Sequence, residues 1–352
     1  MKLRETGTGL AIIGGIVALG VWVASRPAAL QPGGFLNPSE LEEAVTPISS
    51  TAVRKISWSA DGRRLLTVTH GEIGEAGPLI LHNLDEGPRR VSVGPPGETI
   101  VSADLAADDR YALVATREGR LWWSGLESGE DRLVLELPGE SEFSWTTVSP
   151  DGTKAAVAAT DGSVFLIDPQ SAPERNLERR LVTGPAVRTT HLKFSSDGRY
   201  LAAANYGGGI RLWDLSTGQE VQNWQGHEQP ATSVAVLPEG RVLTASLDDT
   251  VRIWDANGKG EVLGAKAGLF GVTSMAVSVD GKTAAWGGHR RKIVVWDLET
   301  ARKRFEISIS ASMVWDIKFS PDCQFLAVSG NDGTLQLYDA RTGRVKKALE
   351  VG

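Results

Sequence analysis

Histidine, cysteine and clustered acids are the residue types that would carry chemistry in this chain. The five histidines, at 70, 82, 191, 227 and 289, have neither the close spacing nor the acidic partner of a helical zinc site. The single cysteine, Cys323, excludes an intrachain disulfide and a cysteine zinc site. The sequence contains no phosphate loop, calcium loop or Gly-x-Ser-x-Gly turn. It therefore predicts no catalytic residue, no metal site and no cofactor.

The acids instead recur at regular intervals, in polar turns that follow an alternating apolar run. Successive acidic anchors lie 41 to 47 residues apart, at Asp61, Asp108, Asp151, Asp197, Glu239, Asp280 and Asp322. Most are followed by glycine, and Asp-Gly between two runs of period two predicts a β-hairpin because glycine readily adopts a positive φ. Hairpin geometry explains these turns without a metal ion.

Two further apolar strands follow each hairpin, so each unit has four short strands. The third strands are ILHNL, LWWSG, VFLID, IRLWD, VRIWD, IVVWD and LQLYD. A lone four-stranded blade exposes both faces, and blades bury these faces by packing around an axis. The pattern predicts an all-β fold, a seven-bladed β-propeller of four-stranded antiparallel blades over residues 51–352. We expect the C-terminal strand, VKKALEV, to complete its own blade.

The runs SSDGRYLAAANYGGGIRLWD and VLPEGRVLTASLDDTVRIWD resemble WD-repeat (WD40) sequences. This resemblance implies a structural hydrogen-bonded tetrad of a loop His, a strand Ser or Thr, a turn Asp and the Trp of the third strand. The fifth unit matches it in full, with His227, Ser246, Asp248 and Trp254. The first three units depart from the pattern and have His82, Ser124 and Ile167 where the Trp belongs.

Aromatic and arginine residues at the start of the first strands point to a binding surface near the axis. Arg54, Trp145 and Trp315 stand there, and Trp and Arg are enriched in the energetic centres of protein interfaces. We expect these three to form a protein-interaction surface. Packing between blades is an alternative role for the same side chains.

A candidate membrane segment precedes the repeats. Lys2 and Arg4 are followed by an uncharged stretch from Thr6 to Ser25. About twenty residues at about 1.5 Å each are enough to span a bilayer core. We expect a single transmembrane helix that contacts the membrane through residues 8–25. A cleaved signal peptide is the alternative, although Trp22 and Ala24 fit a cleavage site badly.

The cations around this segment predict its orientation. Lys2, Arg4 and the amino terminus outweigh Arg26, which places the N-terminus in the cytoplasm and the propeller on the periplasmic or extracellular side. The predicted organisation is an anchor over residues 1–25, a Pro/Gly-rich linker over 26–50, and the propeller over 51–352. The linker is either a short helix beginning at Asn37 or a disordered tether.

Net charge argues against one class of partner. At −6 the chain has no excess of cations to neutralise a phosphate backbone, so nucleic acid is not an expected partner. We expect a non-catalytic, membrane-anchored scaffold or accessory subunit that binds other proteins of a membrane complex. The alternative is an exported propeller enzyme, or a sensor of small ligands or peptides, that uses the central channel. Acids and histidines converging on the channel would favour this alternative.

Overall fold

A computed structural model describes most of the repeat region. The described residues are 52–69, 79–91, 97–138, 141–171, 177–181, 187–237, 240–255, 258–263 and 271–351. The predicted anchor and the whole of the predicted linker lie outside them. Within the described residues no helix is both long and apolar enough to cross a membrane.

The described residues form 28 strands, which make seven four-stranded sheets. Blades 1 to 4 contain β1 (Val53–Trp58), β2 (Arg64–Thr69), β3 (Leu79–Asn83), β4 (Gly87–Val91); β5 (Ile100–Leu105), β6 (Tyr111–Thr116), β7 (Arg120–Gly125), β8 (Asp131–Glu136); β9 (Phe143–Val148), β10 (Ala155–Ala159), β11 (Val164–Ile167), β12 (Leu177–Arg180); and β13 (Thr189–Phe194), β14 (Tyr200–Asn205), β15 (Gly209–Asp214), β16 (Gln219–Gln225). Blades 5 to 7 contain β17 (Ala231–Val236), β18 (Val242–Ser246), β19 (Val251–Trp254), β20 (Gly260–Val262); β21 (Val272–Val277), β22 (Thr283–Gly288), β23 (Lys292–Asp297), β24 (Arg302–Ser308); and β25 (Val314–Phe319), β26 (Phe325–Gly330), β27 (Leu335–Asp339), β28 (Val345–Leu349).

Each blade is an antiparallel meander whose four strands are consecutive in the chain. The predicted all-β, seven-bladed propeller is therefore confirmed. β28 pairs with β27, so the C-terminal strand completes its own blade, as expected. Among the described residues no strand is exchanged between the first and last blades. The ring closes through contacts between side chains and backbone of these two blades.

Apolar packing between blades makes up the core. The described residues form seven apolar clusters, one at each boundary between neighbouring blades, including the boundary between blades 7 and 1. Trp213 and Tyr338 are the largest fully buried side chains. Burying a side chain of this kind contributes roughly 1.5–3 kcal/mol. Each blade therefore depends on both of its neighbours for stability.

The predicted turns join the first and second strands of the blades. Gly62, Gly152, Gly198 and Gly281 have φ near +70°, as the Asp-Gly pattern requires. In five blades a serine two residues before the anchor donates a hydrogen bond to the Asp carboxylate, as Ser59 does to Asp61. The same serine accepts the backbone N–H that opens the second strand. These serines fix the turn as firmly as the glycine does.

Every first strand contains a β-bulge near its beginning. One residue of the first strand has no partner on the second strand. The residue that follows it faces the axis of the ring and has a partner on the second strand. The skipped residues, hereafter the bulge positions, are Arg54, Val101, Ser144, Thr190, Thr232, Thr273 and Trp315. The next residues, hereafter the inner ring, are Lys55, Ser102, Trp145, His191, Ser233, Ser274 and Asp316.

The bulge offsets one of the three predicted surface residues from the other two. Arg54 and Trp315 occupy bulge positions, whereas Trp145 belongs to the inner ring. The three residues predicted to share one structural position are therefore offset by one. The physical reason is the extra residue in each first strand, which simple alternation does not show.

Candidate functional site

Hydroxyl groups at four bulge positions join neighbouring blades. Ser144 Oγ donates to the carbonyl oxygen of Thr189 at 3.0 Å, and Thr190 to that of Ala231 at 2.5 Å. Thr232 and Thr273 repeat the contact with the carbonyls of Val272 and Val314, at 2.8 and 2.7 Å. These hydrogen bonds link blade 3 to blade 4 and so on to blade 7.

Blades 7, 1 and 2 break this rule. Their bulge residues are Trp315, Arg54 and Val101, and none of these side chains carries a hydroxyl. The three blades are adjacent in the ring. This arc of the rim, Trp315, Arg54 and Val101, is therefore chemically different from the rest, and we call it the arc of blades 7, 1 and 2.

The inner ring forms a second series of contacts between blades. Ser102, Ser233 and Ser274 each accept the N–H of the first strand of the next blade, at 3.1 to 3.2 Å. The Asp316 carboxylate accepts the N–H of Ile56 at 2.9 Å and so joins blade 7 to blade 1. His191 Nδ1 faces the N–H of Val234 at 3.4 Å. These polar side chains hold the blades in register around the channel.

Lys55 is the inner-ring residue with the most contacts. Its side chain is buried, and its ammonium donates to Ser102 Oγ at 3.0 Å and to the carbonyl of Thr146 at 2.8 Å. The ammonium also lies 4.9 Å from the centre of the Trp145 ring, a cation–π contact. Burial lowers the pKa of Lys55 to about 8, and the Asp104 carboxylate partly opposes that shift.

The three residues predicted as an interaction surface differ in accessibility. Trp315 is only 3% exposed, so it packs between blades. Trp145 is partly buried and its ring contacts that of His191 in a tilted arrangement, with ring centres 4.6 Å apart and an angle of 41° between the planes. Arg54 is partly exposed. Burial, together with the positive charges of Arg117 and Arg188, lowers the pKa of Arg54 to about 10.

Arg117 and Arg188 therefore act electrostatically on Arg54, although the three residues come from blades 2, 4 and 1. The Nε atom of Arg117 is buried without a hydrogen-bond partner among the described residues. The rim of an acidic protein thus carries three guanidinium groups that interact through Arg54, and the Glu142 carboxylate acts on one of them, Arg188. This group of arginines was not predicted, because Arg117 and Arg188 lie outside the first strands.

The structure brings together three of the four predicted tetrad residues. His227 Nδ1 lies 2.8 Å from the Asp248 carboxylate. His227 Nε2 lies 2.7 Å from Thr244 Oγ1, and Trp254 Nε1 donates to the same hydroxyl at 2.8 Å. Thr244 is therefore the hydroxyl member of the network.

Ser246 has a different role from the one the resemblance implied. It donates to the carbonyl of Gln229 at 3.1 Å and accepts the N–H of Asp248, also at 3.1 Å. The register explains the difference, because Trp254 pairs with Val242 and its ring reaches Thr244 but not the end of the strand. Burial raises the pKa of Asp248, but the hydrogen bonds from His227 and Thr250 outweigh it and lower the pKa overall.

Gly226 explains why a glycine precedes the tetrad histidine. A Cβ atom at this position would lie 2.0 Å from Cη2 of Trp254. The backbone therefore runs directly against the indole ring, which only glycine permits.

The first blade contains a reduced form of the tetrad. His82 occupies the register position of the blade Trp, and its Nε2 lies 3.0 Å from Thr67 Oγ1. This contact matches that of Trp254 with Thr244. His82 Nδ1 is buried without a hydrogen-bond partner among the described residues.

The other three histidines lie in different parts of the chain. His289 is partly buried, His191 lies in the inner ring, and His70 is outside the described residues. No group of three or more His, Cys, Asp or Glu positioned to hold a metal ion occurs in the described part of the chain.

The comparisons with known proteins agree with this architecture. Residues 179–214, 218–255 and 304–339 match the family described as WD domain, G-beta repeat. Each match begins in or just before the outer strand of one blade and ends at the third strand of the next. The sequence repeat and the blade are thus offset by one strand. The chain folds as a seven-bladed β-propeller, and these three segments of it match the WD40 repeat.

Curated relatives cover parts of the chain. WD repeat-containing protein SL1-17 of Schistosoma mansoni is 30% identical over 161 residues, which are 44% of this chain and 50% of that protein. COMPASS component SWD3 of Saccharomyces cerevisiae is 27% identical over 219 residues, 58% of this chain and 66% of that protein. U3 small nucleolar RNA-associated protein 21 homolog of Schizosaccharomyces pombe is 28% identical over 218 residues, 60% of this chain and 23% of that protein. The chain therefore matches between about a quarter and two thirds of the length of these relatives.

Proposed function

We propose that this protein is a non-catalytic scaffold or accessory subunit of a membrane protein complex. Residues 8–25 hold it in the bilayer, and the propeller lies on the outer side. The main observation in favour is the arc of blades 7, 1 and 2, where the hydroxyl contacts of the other bulges are replaced by Arg54, Val101 and Trp315. The WD40 relatives, one of which is named as a component of COMPASS, support a role in assemblies.

Arg54 is the contact residue within this arc. It is the one partly exposed charge at a bulge position, and Arg117 and Arg188 add to the positive potential around it. A partner that offers a carboxylate to this arc would pair with a guanidinium in a partly desolvated setting, where such a contact is strongest.

The alternative function uses the channel, and the structure offers one observation in its favour. Asp104, Asp316 and His191 do converge on the inner strands. However, both carboxylates accept hydrogen bonds from neighbouring blades, and the His191 ring packs at a tilt against the Trp145 ring. These groups contribute to the assembly of the ring, which favours the scaffold over an enzyme.

A charge-reversal pair tests the docking surface. The full chain, tagged and solubilised from membranes in detergent, is used to recover partners that are present in stoichiometric amount. We expect Arg54→Glu to lose the partner, and Arg63→Glu to retain it. Arg63 is exposed in the turn at the opposite end of β1, so it controls for charge and for the hairpin. Equal recovery by both variants, with both folded by circular dichroism, contradicts the proposed surface.

Membrane attachment is tested separately. We expect the full chain to resist alkaline extraction from membranes and the propeller to be digested by protease added outside intact cells. A mature chain that is soluble and begins after Ala24 would show that the segment is a cleaved signal. That result would contradict the membrane anchor. The docking surface would still be tested by the charge-reversal pair.

A further inference from the structure

A second ring of channel residues lies two positions beyond the inner ring on each first strand. Its members are Ser57, Asp104, Thr147, Lys193, Ala235, Ala276 and Lys318. Lys193 comes from blade 4 and Lys318 from blade 7, and the two blades between them carry alanine at this position. Small side chains therefore separate the two lysines along the ring.

Lys193 has an unusual environment for a lysine. The described residues give its ammonium no hydrogen bond or ion pair, and its side chain is accessible to water. Even so, burial by surrounding protein lowers the pKa of Lys193, and the positive charge of Lys318 lowers it further. Access to water and enclosure by protein occur together in a narrow hydrated channel. Lys193 thus presents a cation to the channel interior.

The nearby carboxylates do not neutralise this cation fully. Asp316 accepts hydrogen bonds from the N–H of Ile56 and from Ser274 Oγ, and its Oδ1 lies 3.4 Å from the Lys318 ammonium. Asp104 accepts from Ser57 Oγ and from the N–H of Val148, and its Oδ2 lies 4.0 Å from the Lys55 ammonium. Both acids raise the pKa of Lys193, but burial and Lys318 outweigh them, and neither acid forms an ion pair with Lys193 among the described residues.

The charge balance of the channel is therefore positive. Lys55, Lys193 and Lys318 contribute three cations, and Asp104 and Asp316 contribute two anions. His191 leaves this charge balance unchanged. Burial and the positive charges of the three lysines keep its pKa well below the ordinary value, so its ring is neutral. A positive centre persists inside a protein whose net charge is −6. An anion placed between Lys193 and Lys318 would relieve their mutual repulsion inside a channel whose protein walls focus the electric field.

We propose that the central channel binds a small oxyanion, a phosphate or carboxylate group, between the ammonium groups of Lys193 and Lys318. Lys193 is the primary ligand because it has no competing partner among the described residues. Lys318 is shared between the anion and Asp316. This site is independent of the docking surface around Arg54, which involves other side chains at the rim.

The test measures anion binding by the full chain in detergent. Inorganic phosphate and acetate are titrated in separate calorimetry experiments, with chloride replaced so that ionic strength is constant. We expect saturable binding of at least one anion, accompanied by a rise in the melting temperature. Binding of phosphate alone, of acetate alone or of both identifies the preferred oxyanion.

Lysine variants locate the site. We expect Lys193→Met to weaken binding at least tenfold and Lys193→Arg to retain most of it. Lys259→Met is the matched control, because it removes an ammonium that is exposed and paired with Glu261 on an outer turn. Absence of binding to the wild-type chain, or equal affinities of Lys193→Met and Lys259→Met, overturns the proposal. Melting curves without anion establish that each variant is folded.

Discussion

Thr244 shows how a single hydroxyl organises the fifth blade. It contacts both His227 Nε2 and Trp254 Nε1, each at less than 3 Å. The resemblance to WD repeats indicated the composition of this network, but the choice between Thr244 and Ser246 required the register of β18 and β19. Both residues lie on the same face of the strand, and only the reach of the Trp254 ring distinguishes them.

We expect Thr244→Val to lower the free energy of unfolding by about 2–3 kcal/mol, because it leaves two buried polar groups without a partner. Ser246→Ala is expected to lower the free energy of unfolding by about 1 kcal/mol. The Gln229 carbonyl and the Asp248 N–H lose their hydrogen bonds to the hydroxyl, but both residues are only partly buried, so water takes its place. Chemical denaturation of both variants measures the difference. A larger loss for Ser246→Ala contradicts the role given to Thr244.

His82 makes stability depend on pH. Burial lowers the pKa of His82 to about 4 from an ordinary value of 6.5. The unfolded chain therefore takes up a proton near pH 6.5, and the folded chain does so only near pH 4. The stability that the neutral ring contributes is fully present above pH 6.5 and is lost as the pH falls from 6.5 to 4.

We expect His82→Gln to reduce the loss of stability between pH 7 and pH 4, since the amide keeps a contact with Thr67 and does not titrate. His191 and His289 also have lowered pKa values, so part of the decline remains. Denaturation curves at several pH values compare the two chains. An unchanged decline would mean that His82 is protonated in the folded state well above pH 4.

At the level of strands and turns, the Asp-Gly pattern predicted the hairpins correctly because the turn conformation is local. The bulges were not predicted. Each bulge lies near the beginning of its strand, so the apolar residues that follow it still alternate regularly and do not reveal the extra residue. Charged residues inside otherwise apolar first strands, as in VRKISW, TTHLKF and VWDIKF, were the available signal for the channel. They mark where strand edges face the axis instead of a neighbouring blade.

The turn of blade 7 departs from the glycine rule and offers a test of turn energetics. Cys323 has a φ of 58°, in the region where other turns have glycine. A non-glycine residue there costs about 1–2 kcal/mol, and glycine gives back roughly 0.5–1 kcal/mol through the entropy of the unfolded chain. We expect Cys323→Gly to stabilise the protein by about 0.5–1 kcal/mol, observed as a higher melting temperature.

Gly62→Ala is the reverse change at the matching turn of blade 1. An added Cβ would approach only Pro321 Cδ, at 3.7 Å, so any effect comes from the backbone conformation. We expect a loss of similar size. If Cys323→Gly is neutral or destabilising while Gly62→Ala behaves as expected, the thiol contributes packing that outweighs the strain.

For the whole molecule, the spacing of the acidic anchors in the sequence was enough to predict the number of blades. How the ring closes is established by the pairing of β28 with β27 in the structure. The boundary between blades 7 and 1 is held by the apolar cluster that contains Val53 and Leu337, and by polar contacts. Asp316 accepts from Ile56, Trp58 Nε1 donates to the Lys318 carbonyl at 3.3 Å, and Lys347 donates to the Leu84 carbonyl.

We expect this boundary to open most readily in solution. Asp316→Ala removes the acceptor for the Ile56 N–H, and hydrogen exchange at Ile56 and its neighbours should accelerate by more than tenfold. Ser233→Ala is the control, since it removes the equivalent acceptor for the N–H of Met275 between blades 5 and 6, which the chain also connects directly. Equal acceleration at both boundaries would show that closure is as strong as the covalently connected boundaries.

Among the described residues no strand is shared between blades 7 and 1, and this closure also determines how the ring responds to mechanical force. Tension applied between residues 52 and 351 acts directly on the contacts of blades 7 and 1, while every other boundary has a peptide connection in parallel with its packing. Once the ring is open, each terminal blade has a single neighbour and is the next to detach. We expect stepwise extension, with each step releasing about 40 residues or about 140 Å of contour length.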